Sequence, residues 1–141
     1  KELGVKPEIE VFDLGMIVTA LRMRDEGKME DPLHFQFVLG TPAGAPATPK
    51  SFLHFLEHIP GNATWSTIGI GKRQIDMAMM ALIMEGHIRV GMEDNIYLQH
   101  GVLAKTNAEL VERVIRVCKE YGRDIAKPDE ARTILGLRNN S

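Results

Sequence analysis

Four short apolar segments, each closing near a glycine or an acid and each followed by a helical pattern, constrain this chain more than any other feature. They run from Glu8 to Asp13, His34 to Leu39, Ala63 to Ile68 and His87 to Gly91. The helical patterns cover Met16 to Arg24, Pro49 to Ile59, Arg73 to Glu85 and Asn107 to Tyr121, with a short terminal helix over Asp129 to Leu135. Strand starts recur about every 25 residues, the spacing of parallel strands joined by crossover helices and not of hairpins. An α/β fold is therefore expected.

The helix starts have mechanisms behind them. Thr48 followed by Pro49 combines a cap with a first-turn proline, and Thr106-Asn107-Ala108-Glu109 reads as a capping box. Val111, Val114, Ile115 and Cys118 then share one helical face, so Cys118 reads as a packed core thiol. Met77, Met79, Met80 and Met84 likewise read as helix packing and not as a soft-metal site.

Such βα units make either a small open sheet or part of an eight-stranded barrel. Two features favour the barrel. The opening Lys1-Glu2-Leu3-Gly4-Val5-Lys6-Pro7 reads as the last turn of a helix with its glycine stop, which implies further βα units upstream. Polar residues also recur within strands or at their ends, where a barrel mouth collects them: Glu10 between Ile9 and Val11, then Asp13, Glu93 and Asp94. The expected architecture is a (β/α)8 TIM-type barrel, with residues 1–141 forming its C-terminal half and supplying about the last four βα units.

At 141 residues, one domain or less is expected. A net charge of −2 provides no electrostatic footprint for nucleic acid or an anionic membrane surface. No apolar run approaches the roughly 18 residues of a membrane span. The single Cys118 excludes an internal disulfide and fits a reducing cytoplasm.

The chemistry concentrates in Gly86-His87-Ile88-Arg89-Val90-Gly91-Met92-Glu93-Asp94-Asn95, an apolar strand that carries an arginine and ends in two adjacent carboxylates. Charges are expensive inside a sheet, so this pattern calls for a structural ion pair, a metal or a substrate at the strand end. Alternation places Arg89, Gly91 and Glu93 on one face, the glycine clearing space between the charges. Glu10 lies opposite Ile9 and Val11 and points inward if that aliphatic pair faces the helices. A purely structural pair of Arg89 with Glu10 or Glu93 is the competing account.

Gly69-Ile70-Gly71-Lys72-Arg73 joins the third strand to its helix. Exposed amides with two cations nearby make Gly69 and Gly71 candidates for a phosphate cradle, although Gly-x-Gly is common at such turns for steric reasons alone. His54-Phe55-Leu56-Glu57-His58 matches the H-x-x-E-H pattern of zinc peptidases. Phe52, Phe55, Leu56 and Ile59 form the buried stripe of that helix, which leaves the histidines and Glu57 on a solvated face. His34, His87 and His100 have no neighbours at ligand spacing.

Pro7-Glu8-Ile9-Glu10-Val11-Phe12-Asp13, Phe35-Gln36-Phe37-Val38-Leu39-Gly40, Ala63-Thr64-Trp65-Ser66 with Gly69-Ile70-Gly71, and Gly86-His87-Ile88-Arg89 through Glu93-Asp94-Asn95 together resemble the β-keto acid cleavage enzymes. The likeness extends to Thr106-Asn107-Ala108 and the closing Ala131-Arg132-Thr133-Ile134-Leu135. It implies a zinc-dependent barrel, a homo-oligomer by family habit, that takes a β-keto acid and acetyl-CoA to acetoacetate and a new acyl-CoA. By the same resemblance Glu93 matches a zinc ligand, Asp94 an acid/base residue, Arg89 the arginine that orients the acid and holds substrate, and Glu10 a substrate-site glutamate.

The family's His-x-His zinc ligands and its active-site serine and threonine have no counterpart in these residues. One carboxylate does not hold catalytic zinc, which needs about three protein ligands, so these residues are expected to be inactive alone. Two alternatives stand beside the resemblance: a non-catalytic βα interaction module built on an internal ion network, and an unrelated phosphate-binding barrel enzyme using the Gly69 to Gly71 turn.

Overall fold

The computed structural model describes residues 5–137. The helix end read at Lys1 to Gly4 lies outside the described residues. The chain forms β1 (Glu8–Val11), α1 (Leu14–Asp25), β2 (His34–Leu39), α2 (Pro49–Leu56), β3 (Thr64–Gly69), a 3-10 turn (Gly71–Arg73), α3 (Gln74–Ile83), β4 (His87–Ile88), β5 (Tyr97–Gln99), β6 (Val102–Leu103), α4 (Asn107–Tyr121) and α5 (Pro128–Ile134). Strands β1 to β4 make one parallel sheet in sequence order. No helix among the described residues is long and apolar enough to cross a membrane.

Alternation along the strands sorts the sheet into two unlike faces. Val11, Phe35, Phe37, Leu39 and Trp65 point toward the helices and form the core with Ile17, Phe52, Phe55, Met77 and Ala81. Phe37 is the hub, stacked on Trp65 at 5.6 Å and meeting Phe52 and Phe55 edge-on at 6.2 and 5.5 Å. Each fully buried phenylalanine contributes about 1.5–3 kcal/mol relative to leaving it in water.

The opposite face is polar over much of its length. Parallel register sets Glu10, Gln36, Ser66 and His87 in one row across all four strands, with Glu8 beside His34 one step below. Lys6, just ahead of β1, donates to the Leu135 carbonyl at the end of α5, closing the described segment on itself.

Local chemistry sets the boundaries. Asp13 does not close the first strand: β1 ends at Val11, and Asp13 caps α1 by accepting from the Met16 amide at 3.1 Å. Thr48 caps α2 through the Ser51 amide at 3.2 Å, with Pro49 in the first turn. Thr106 caps α4 through the Glu109 amide, but the Glu109 carboxylate returns to the Lys105 amide and not to that of Thr106. Gly122, at φ 84°, ends α4 in the left-handed conformation that glycine adopts at least cost.

Two departures from the sequence expectation concern the last unit. Strand β4 is only two residues long, because pairing to β3 stops after Arg89 donates to the Thr67 carbonyl and the chain turns to form the acid loop. The β5–β6 hairpin, turning at Gly101 with φ 75°, was not anticipated; its strands of three and two residues are too short for an alternation signal.

Candidate functional site

Arg89 organises the C-terminal end of the sheet. Its side chain is 36% exposed, and Nη1 donates to Glu10 Oε1 at 2.6 Å and to Gln36 Oε1 at 3.4 Å. Nη2 donates to Glu93 Oε1 at 3.3 Å and stands 3.8 Å from Asp94 Oδ2. One guanidinium thus gathers an acid from β1, an amide from β2 and the two acids of the loop after β4. A Cβ on Gly91 would overlap the Glu93 carboxylate, so the glycine is the space in which that side chain folds back toward Arg89.

The loop is clamped from several sides. Gly91 accepts at its carbonyl from the Asp94 and Asn95 amides at 3.3 and 3.2 Å and from Gln74 Nε2 at 3.1 Å. Asn95 Nδ2 donates to Gln74 Oε1 at 3.3 Å, Gly71 donates its amide to the Asp94 carbonyl at 2.7 Å, and Asn107 Oδ1 accepts from the Met92 amide at 2.7 Å. Gln74, the first residue of α3, is only 5% exposed, and both ends of its amide serve this turn.

Electrostatics separates the two loop acids. The Glu93 pKa is lowered, first by its own backbone hydrogen bond; burial opposes that next, and the hydrogen bond and charge of Arg89 add smaller lowering effects. Burial pushes Asp94 up, Arg89 offsets part of that, and Glu93 and Glu10 add to it by like-charge repulsion. Burial opposes the charge on Arg89, but its hydrogen bonds to Glu10 and Glu93 outweigh that and push its pKa up. Asp94 Oδ2 is buried and accepts no hydrogen bond, and Gln36 Nε2, on a residue 1% exposed, donates none. Adjacent carboxyls whose surroundings push them in opposite directions are the arrangement used for acid/base work at a developing charge.

Gln36, Gln74 and Asn107 were absent from the sequence reading of the site. Gln36 carried a usable signal, a lone polar residue between Phe35 and Phe37 with the same alternation that singled out Glu10. Gln74 carried none, since its role depends on where α3 begins relative to the acid loop.

The amides of Ile70 and Gly71 donate to the Leu39 and Asp94 carbonyls, and a Cβ on Gly69 would overlap Arg73 and Met77, so this turn is occupied by the contacts of its own fold. His54, Glu57 and His58 are exposed, with His58 Nδ1 2.7 Å from the His54 carbonyl. Phe52 and Phe55 are buried beneath them. Cys118 is a buried free thiol whose pKa is pushed up by burial, which keeps it protonated and inert. His34 and His87 do meet, their rings 6.3 Å apart at the N-terminal ends of their strands. His34 Nδ1 lies 2.9 Å from Thr64 Oγ1, and burial, with His87 and Lys6 adding, lowers its pKa to about 4.

No group of three or more His, Cys, Asp or Glu side chains placed to hold a metal occurs among the described residues. Glu93 and Asp94 supply neighbouring carboxylates, which is less than the set of about three ligands a catalytic zinc requires. These residues thus fit a metal as contributors to a ligand set and not as a complete one.

The family model for the beta-keto acid cleavage enzymes matches residues 1–137. A 3-keto-5-aminohexanoate cleavage enzyme from Fusobacterium nucleatum is 54% identical over 137 residues, covering 97% of this chain and 50% of the relative. A 3-oxoadipate:acetyl-CoA acetyltransferase from Cupriavidus necator is 43% identical over 140 residues, covering 97% of this chain and 49% of the relative. The chain therefore spans about half the length of the curated relatives it matches. The solved ternary complex of ObcA with a C4-CoA adduct and oxalate superposes with a TM-score of 0.73 at 20% identity, covering 96% of this chain and 38% of ObcA. That likeness, with the parallel βα order, makes the fold part of a TIM-type (β/α)8 barrel. From its match to the family model and its identity to these relatives, the chain belongs to the beta-keto acid cleavage enzyme family.

Proposed function

We propose that the complete protein converts a β-keto acid and acetyl-CoA to acetoacetate and a new acyl-CoA, and that residues 1–141 are the C-terminal half of its single barrel domain. One observation carries this: the Arg89 cluster stands at the C-terminal ends of the strands, where barrel enzymes keep their chemistry. The naming of relatives as acetyl-CoA-dependent transferases supports the co-substrate. The family resemblance carries with it a homo-oligomer, and the single cysteine fits a reducing cytoplasm.

Asp94 is the acid/base group, removing a proton from carbon beside the keto group and returning it. Its raised pKa brings it closer to neutral pH, where one group can serve both transfers. Arg89 holds the substrate carboxylate or the oxyanion that develops from its carbonyl, and Glu10 holds Arg89 in place from β1. Glu93 is one ligand of a zinc ion, with the remaining ligands outside these residues. Zinc bound there would supply Lewis-acid polarisation of the keto oxygen.

The competing account, an inert ion network, predicts that each buried charged oxygen is satisfied internally. Asp94 Oδ2, buried without a hydrogen bond and held only by its 3.8 Å ion pair to Arg89, favours catalysis over that account. Asp94→Asn in the complete protein keeps size and shape while removing the titrating group. Acetoacetate formation from acetyl-CoA and a panel of β-keto acids is expected to fall at least about 100-fold. Unchanged turnover would overturn the assignment.

A further inference from the structure

A cleft lies beside the acid loop, between the 3-10 turn after β3, the β5–β6 hairpin and α4. Its volume is about 610 Å³, inside the roughly 300–1,000 Å³ range of small-molecule sites. Lys72 enters it from the 3-10 turn, His100 from the hairpin and Arg113 from α4, and no carboxylate lines it. Lys72 makes no ion pair among the described residues. Arg113 donates to the Leu98 carbonyl, which fixes its guanidinium against the hairpin without neutralising it. Tyr97, 46% exposed, adds an aromatic ring to the wall.

Two cations and an imidazole from three separate elements, with no acid among the lining residues, form a cleft whose field favours an anion. Asn95 lines this cleft and is covalently next to Asp94, so a ligand seated here reaches the acid loop directly. The loops after the last two strands are also where barrels commonly place a phosphate. The donors here are side chains, since the turn amides of Ile70 and Gly71 are already committed to carbonyls.

We propose that this cleft binds the phosphate-bearing end of the acyl-CoA co-substrate, with Lys72, Arg113 and His100 facing its phosphates and Tyr97 offering a stacking surface to the adenine. The assignment rests on the proposed use of acetyl-CoA. It separates the two substrates in space: the keto acid sits at Arg89 over the sheet, and the nucleotide lies beyond the acid loop, so the thioester reaches Asp94 from the hairpin side.

The test is calorimetric binding of coenzyme A and of phosphate-free pantetheine to the complete protein and to its Lys72→Ala, Lys72→Arg and His100→Ala variants. The parent is expected to bind coenzyme A more tightly than pantetheine. Lys72→Ala should weaken coenzyme A about fivefold to tenfold with little effect on pantetheine, Lys72→Arg should restore most of that loss, and added salt should narrow the difference. A parent that binds both molecules equally, or a Lys72→Ala variant with an unchanged ratio, overturns the assignment.

The two proposals fail separately. Acetoacetate formation with a ratio indifferent to Lys72 removes the cleft assignment alone. Lys72-dependent coenzyme A binding in a protein that makes no acetoacetate removes the proposed reaction and leaves the nucleotide site.

Discussion

Arg89 and Glu10, 79 positions apart in the chain, meet at 2.6 Å across a sheet in which β2 and β3 lie between their strands. The pair spans the polar face because Arg89 reaches over Gln36, whose carbonyl oxygen accepts from the same Nη1 at 3.4 Å. Closing this contact draws Glu93 and Asp94 to the other nitrogen of the guanidinium, so the first strand and the last loop share one cation. Three acids around one arginine are tolerable only while that arginine stays charged and in place.

Replacing Arg89 therefore affects more than substrate contact. Arg89 holds the Asp94 pKa down against burial, so Arg89→Met should push it further up. If Asp94 acts as a base, the acid limb of the kcat/KM profile moves to higher pH while the maximum falls about 100-fold. A uniform fall with an unmoved acid limb would mean that Arg89 does not set the protonation of Asp94.

Asp94 should stabilise the fold less than the residue that replaces it. A carboxyl whose folded pKa is raised binds more protons in the folded than in the unfolded state, so stability is lost as pH rises from 3.8 through the raised value. Asp94→Asn removes that loss, so its Tm at neutral pH should exceed the parent's even as activity disappears. Tm measured against pH for both proteins checks this, and a lower Tm for the variant throughout would contradict it.

The His34–His87 pair predicts the opposite slope. With the folded pKa of His34 lowered from 6.5 to about 4, the unfolded chain binds the extra proton, so stability falls as pH drops from 6.5 toward 4. The lowered pKa of His87, also caused first by burial, adds to the same slope. His34→Gln should flatten the urea-midpoint profile in that window, and an unchanged profile would place the acid sensitivity elsewhere.

Gln74 should matter to both stability and turnover. Gln74→Ala leaves the Gly91 carbonyl and the Asn95 side-chain amide each short of one hydrogen bond inside the fold, a cost of about 1–3 kcal/mol. Because those contacts hold the Asp94 turn, kcat should fall more than KM for either substrate rises. A stability loss with kcat unchanged would make Gln74 structural only.

Gly91→Ala tests the space under Glu93. The added methyl overlaps the carboxylate as it now lies, so Glu93 must swing away and its hydrogen bond to Arg89 must break. Activity should fall about as far as in Glu93→Gln, and the double variant should be no worse than either single one. Additive losses would show that Gly91 acts through something other than Glu93.

Much of this is legible in the amino-acid sequence. The βα alternation, the α4 boundaries of Asn107 and Tyr121, and the polar positions Glu10 and Arg89 follow from periods of two and 3.6 residues and from capping side chains, all local signals. The chain by itself determined that one sheet face would be apolar and that Glu10 and Arg89 would lie on the other, because alternation assigns each side chain to a face before any strand finds its neighbour. Only the tertiary structure decided which charges meet. Parallel register set Gln36 under Arg89 and His34 within 6.3 Å of His87, and the packing of α3 brought Gln74 under the acid loop. Those contacts join residues 17 to 53 positions apart, and their geometry depends on how strands and helices dock, which no local period encodes.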